Sequence, residues 1–342
     1  MWMIYGANGY TGELIAREAA RRGERPILAG RDAAAVGKLA QELGLEWRAF
    51  PLDAPDLRDI QLVLHCAGPF LYTSAPMVKA CLEAGAHYLD ITGEIAVFEA
   101  VMRKDAAAKQ RGVTLLPGVG FDVVPTDCRA AKLAQRLPGA DELWLAFDTG
   151  GAGLSRGTRR TMIEGLDKGG AIRRDGKIIP VPQLYDVRRI PFAHGERMAI
   201  TIPWGDVSTA FHTTGIPNIR VYNATSPRTI KRMRRMLPLL PLLRFKPLKR
   251  WLLRRVKPGG PNAEHRAKDR IQLWGRAARV DGAEVTLTME VAEGYAFTVL
   301  SALAAVKRVL AEPVQAGSFT PAKRFGERFV DEATNYGAAL PM

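Results

Sequence analysis

The stretch Trp2-Met3-Ile4-Tyr5-Gly6-Ala7-Asn8-Gly9-Tyr10-Thr11-Gly12 decides how the rest of the chain is read. Four apolar residues stop at Gly6. After Gly12, Leu14, Ile15 and Ala19 recur at helical spacing up to Gly23. A short buried strand, three glycines three apart and a helix form a phosphate-binding turn. The glycines permit tight turning and close approach, while the free amides and dipole of the helix N-terminus attract an anion. The segment opens a longer alternation, which is the context such a motif requires. Gly6, Ala7, Asn8, Gly9, Tyr10, Thr11 and Gly12 are therefore candidate dinucleotide-binding residues.

Working outward, strands are expected at 26–30, 47–52, 61–66, 87–91 and 113–116. Helices are expected after Asp32, which suits an N-cap, and at 76–84 and 98–110. Alternating strands and helices imply βαβ units and a parallel sheet, an α/β domain of Rossmann type. The rhythm changes after Pro125. Strands at 142–148, 177–182, 198–203, 218–223, 271–280 and 284–293 then dominate, with a helix at 158–168. This predicts a second, α+β domain with a mostly antiparallel sheet. Helices at 297–310 and 321–331 close the chain.

At the end of the second strand an acidic residue would bind the ribose 2′-hydroxyl of NAD. Here the strand ends Ala29-Gly30-Arg31. A guanidinium suits a 2′-phosphate, so NADP(H) is the expected cofactor. Cys66-Ala67-Gly68-Pro69-Phe70 ends the fourth strand, and its small residues let a dinucleotide cross the sheet edge. Thr92, Gly93, Gly120 and Phe121 follow the fifth and sixth strands at the same edge and join the cofactor-binding candidates. Tyr72, Asp90, Glu94 and Asp122 are the catalytic candidates. Tyr72 has a hydroxyl to donate, but Pro76 stands where a YxxxK motif needs lysine. The three carboxylates serve as acid or base only with raised pKa values, and loop anchoring is the competing role. The five histidines and three cysteines show no metal-ligand spacing, and no metal is expected.

Taken in order, GANGYTG, AGR (29–31), HCAGPF (65–70), HYLDITGE (87–94) and GVGFDVVPTD (118–127) resemble the saccharopine dehydrogenase-like oxidoreductases, which include trans-acting enoyl reductases. SRGT (155–158), GGPNAEHR (259–266) and SFTPAKRFGER (318–328) extend the resemblance over most of the chain. It implies a Rossmann domain, 1–124, completed by C-terminal helices in 296–342. An α+β domain for substrate or dimerisation, 125–295, is inserted between them. It also places the loop at 66–70 beside the ribose and nicotinamide. The implied activity is NADP(H)-dependent reduction of a C=C, C=O or C=N bond, with a lipid-like enoyl substrate as one candidate. A non-catalytic NADP-binding sensor or scaffold on membranes is the alternative.

The 342 residues hold 49 Lys+Arg and 35 Asp+Glu, a net charge of +14. The excess is local: residues 207–263 hold 13 Lys+Arg and no acid. Within 226–258, RTIKRMRRML follows a Ser226-Pro227 cap, and PLKRWLLRRV sets Leu248, Trp251, Leu252 and Val256 on one face. A basic amphipathic insertion of this kind suits an anionic membrane surface better than nucleic acid, which favours stacked aromatics, and an ordinary solvated face packed on the second domain is the competing reading. The expected partners are a small-molecule or lipid-like substrate and that surface, with a homodimer compatible. Sparse cysteines and the lack of a signal-peptide pattern fit a cytoplasmic protein, peripheral on the inner face of a membrane.

Overall fold

The computed structural model describes residues 1–151, 153, 155–166, 168–256 and 259–336. The chain forms two compact units, Met1–Val124 with Gly294–Met342, and Pro125–Glu293.

The first unit is a seven-stranded parallel sheet. Its strands are β1 (Trp2–Tyr5), β2 (Ile27–Gly30), β3 (Trp47–Ala49), β4 (Leu62–His65), β5 (His87–Asp90), β6 (Thr114–Leu116) and a last short strand, Gly317–Ser318. The helices between them are α1 (Tyr10–Arg21), α2 (Ala33–Leu43), α3 (Phe70–Ala84), α4 (Ile95–Met102) and α5 (Asp105–Arg111). From the C-terminal strand inward the order runs through β6, β5, β4 and β1, then β2 and β3. Every residue of β1, β2 and β4 is buried, as expected for parallel strands covered on both faces. Strand order reverses between β1 and β4. The crevice at their carboxyl ends is where such sheets bind ligands.

Two details differ from the sequence expectation. Helix α3 begins at Phe70, six residues before the expected start, with Pro76 inside it. The expected 98–110 helix is two helices, α4 and α5, separated near Arg103 and Lys104. The C-terminal part supplies an 18-residue helix, Gly294–Ala311, whose Phe297, Ala302 and Leu303 are buried. It packs on α1 and β4. The expected 321–331 helix is likewise two, Pro321–Phe325 and Phe329–Tyr336, parted after Gly326 at φ +88°.

The second unit holds an eight-stranded sheet. Its strands are β7 (Glu142–Asp148), β8 (Gly170–Arg174), β9 (Lys177–Val181), β10 (Val187–Phe192), β11 (Gly195–Thr201), β12 (Asn218–Ala224), β13 (Arg270–Ala278) and β14 (Glu284–Ala292). All pairings are antiparallel except β7 with β12. Helix Val124–Arg136 lies so close to β13 that a Cβ on Gly275 would stand 2.8 Å from Leu133. Strands β8 and β10 and the helix Asp206–Thr214 lack a clear sequence pattern. The 226–258 segment forms helix Pro227–Met236, a 3₁₀ stretch Leu237–Arg244 and helix Lys246–Arg254. Lys257, counted in the basic block, lies outside the described residues.

Candidate cofactor and proton-transfer site

The loops after β1 and β4 meet at the switch point. Gly6 has φ +85°, and a Cβ there would stand 2.7 Å from the Ala67 amide nitrogen. A side chain on Gly12 would overlap the Gly6 carbonyl oxygen. The glycines thus bring three backbone segments together where only glycine fits. The loop is tied to β2 through Ala29, whose carbonyl accepts from Gly6 and Ala7 at 2.7 and 3.1 Å. Helix α1 follows with Gly9 as its N-cap, a residue with no side chain to occupy the first amides. Asn8 crosses the end of β2, its Oδ1 being 3.0 Å from where Gly30 would carry a Cβ. Tyr10 packs edge-on against Tyr295, ring centroids 5.0 Å apart.

Arg31 stands exposed just past β2. Asp32, the acid next to Arg31 in sequence, accepts from the Ala35 amide at 3.0 Å and caps α2. A glycine-capped helix N-terminus, a glycine cradle and a cation past β2 fit the pyrophosphate and 2′-phosphate of NADP(H). Gly6 to Gly12 would hold the first and Arg31 the second.

The acidic candidates separate by their partners. Asp90 is fully buried and anchors loops: its Oδ2 accepts from the Tyr88 hydroxyl at 2.6 Å. Its Oδ1 accepts from the amides of Thr92 at 3.0 Å and Gly118 at 2.8 Å. Burial pushes its carboxyl up to about 6 against the lowering effect of those bonds. Glu94 reaches across to α3, its two oxygens accepting from the amides of Phe70 at 2.9 Å and Leu71 at 3.0 Å. It replaces the N-cap that Pro69 lacks, which explains the early start of α3. Thr92 is buried and accepts from the Glu94 amide at 3.1 Å.

Asp122 differs from both. It lies half-buried after β6, and Gly93 leaves space for it: a Cβ on Gly93 would sit 2.5 Å from Asp122 Oδ2. Burial, with the neighbouring Glu94 carboxylate, pushes Asp122 up to about 7. A carboxyl poised near neutrality at the carboxyl edge of the sheet can both give and take a proton. Tyr72, by contrast, is 63 % exposed in the first turn of α3.

The loop carrying Gly120 and Phe121 is held from the far end of the chain. Thr298 Oγ1 accepts from the Phe121 amide at 3.0 Å, and the Ser301 hydroxyl donates to the Val119 carbonyl at 2.8 Å. These residues were missed from sequence, because nothing local marks a partner some 180 positions away. His65 was also missed. It is fully buried, pushed down to about 3 by burial, and bonded through Nε2 to Thr73 at 3.0 Å. Thr73 in turn donates to the Ala67 carbonyl at 2.7 Å, so a neutral imidazole stiffens the 66–70 loop. Burial pushes the Cys66 thiol up, which makes it unreactive at neutral pH.

Comparison with known proteins agrees with this geometry. Residues 2–116 match the family model described as the saccharopine dehydrogenase NADP-binding domain. A human saccharopine dehydrogenase-like oxidoreductase is 29 % identical over 62 % of this chain and 58 % of its own length. A trans-acting enoyl reductase of Mycobacterium bovis is 30 % identical over 39 % of this chain and 35 % of its own. The chain thus spans less than two thirds of these relatives. Among solved structures, apo saccharopine dehydrogenase (L-Glu forming) from Saccharomyces cerevisiae shares the fold at TM-score 0.61 and 14 % identity, covering 97 % of this chain and 95 % of that one. Residues 2–116 are thus similar to the NADP-binding domain of saccharopine dehydrogenase, and the chain shares that enzyme's fold.

Proposed function

We propose that the chain is an NADP(H)-dependent oxidoreductase that reduces a C=C, C=O or C=N bond, with Asp122 as the proton donor. Asp122 is the observation that carries this reading. Bound NADPH supplies the hydride. The rest of the work falls to the chain's own side chains. Asp122 holds a proton near neutral pH and delivers it to the atom that becomes negative as the double bond is reduced. The net change is one hydride and one proton added to the substrate, and Asp122 is reprotonated from solvent. Glu94, held by two amides of α3, raises the affinity of Asp122 for its proton without itself being free to transfer one. Asp90 and Thr92 fix the loop on which Glu94 sits. Gly93 keeps the space beside Asp122 open, and Arg31 selects the phosphorylated ribose.

The enoyl reductase named among the relatives supports an enoyl thioester. The apolar and basic surface of the second unit supports a lipid-like chain. The test is NADPH oxidation, followed at the nicotinamide absorbance, against enoyl thioesters, ketones and imines. Oxidation with one class identifies the bond reduced. Tight NADPH binding without oxidation of any class would make the protein a non-catalytic NADP-binding protein instead.

A further inference from the structure

We propose that the segment 228–255 is a docking surface for anionic phospholipid bilayers. It turns large apolar side chains outward instead of burying them. Met236, Leu239, Leu242, Phe245 and Trp251 are each between 48 and 65 % exposed. Contiguous exposed apolar groups of this size mark an interaction site. The segment is also seated firmly on its unit. Ile230 is buried, and Lys249 Nζ donates to the Glu164 carbonyl at 2.9 Å, fixing helix Lys246–Arg254 to helix Arg156–Gly165.

Charge selects the occupant. Five basic side chains from Arg228 to Arg235 and three from Arg250 to Arg255 are exposed. Among the described residues none of these eight makes an ion pair, and Arg255 instead stacks over Trp251 at 4.0 Å. No acidic residue lies between 207 and 263 to neutralise them. A second copy of the chain would bring the same uncompensated charge. A nucleic-acid duplex would meet the cations but leave Leu239, Leu242 and Phe245 in water. A phosphatidylserine-containing bilayer satisfies both. Its headgroups pair with the arginines, and its acyl boundary takes the apolar row. The prolines at 238, 241 and 247 keep the segment in short pieces, so it lies on the surface and does not span.

The full chain is sedimented with vesicles of phosphatidylcholine alone, and of phosphatidylcholine with phosphatidylserine, at physiological and raised salt. The expected result is at least about tenfold stronger binding to the anionic vesicles, weakened by salt. Two double variants, Leu239→Glu with Phe245→Glu and Arg234→Glu with Arg235→Glu, are each expected to release the protein. Their NADPH-induced thermal shift should stay unchanged, which shows that they fold. Equal binding to neutral vesicles, no vesicle binding, retention by both variants, tighter binding to a DNA duplex, or self-association through this segment would each overturn the proposal. No substrate is present, so these outcomes leave the reading of the first unit untouched.

Discussion

Gly12 has no room for a methyl group, since its Cβ would overlap the Gly6 carbonyl. Gly12→Ala should therefore displace the loop and abolish measurable NADPH binding by calorimetry while the rest of the sheet stays folded. Asp122 is testable in two independent ways. Its folded pKa of about 7 exceeds the ordinary carboxyl value of 3.8, so the unfolded chain ionises first as pH rises. The stability the protonated carboxyl contributes is complete below about pH 3.8 and is lost as pH rises through about 7. Asp122→Asn should thus melt with the parent near pH 4 and a few degrees above it at pH 8. With a substrate in hand, the same variant should lower kcat by about 10²–10⁴-fold. It should also remove the decline of rate with rising pH near 7. A variant with an unchanged pH profile would remove Asp122 from the chemistry.

At the scale of elements, the start of α3 depends on a carboxylate 24 positions away. Glu94→Gln can accept through one oxygen only. It should cost about 1 kcal/mol by denaturant melting, and Glu94→Ala about 1–2 kcal/mol. This is also where sequence reading reached its limit. The helix is expected only from Pro76 onward, and its remote cap has no local signature. Asp32 posed no such difficulty, because its cap partner Ala35 is three residues away. The glycine loop and the Arg31 cation were legible for the same reason: the strand, turn and helix that define them are contiguous. In the second unit, Val187–Phe192 places two arginines and a proline in a half-exposed strand, and its apolar alternation is too weak to detect. The chemical distinction among Asp90, Glu94 and Asp122 was not legible either. All three lie at or just past strand ends on one sheet edge, and only their hydrogen-bond partners separate two loop anchors from a carboxyl near neutrality.

At the scale of the whole molecule, strand order in the first unit reverses between β1 and β4, and the proposed site runs along the carboxyl ends of its strands. Helix Gly294–Ala311 returns after the second unit, and Thr298 and Ser301 hold the loop before Asp122. Thr298→Val should loosen that loop and speed hydrogen exchange at the Phe121 amide without moving the melting temperature by more than a few degrees. The net charge of +14 belongs elsewhere, in one acid-free segment of the second unit, so it says little about hydride chemistry. The central claim is that the first unit binds NADP(H) and that Arg31 reads the 2′-phosphate. It is tested most directly by thermal shift of the parent and of Arg31→Ala with NADPH and with NADH. The account predicts stabilisation of the parent by NADPH well beyond that by NADH. It predicts that Arg31→Ala weakens NADPH roughly ten- to a hundredfold, a loss of about 1.5–3 kcal/mol, and leaves NADH unchanged. Equal stabilisation of the parent by the two cofactors, or no stabilisation by NADPH, would contradict it.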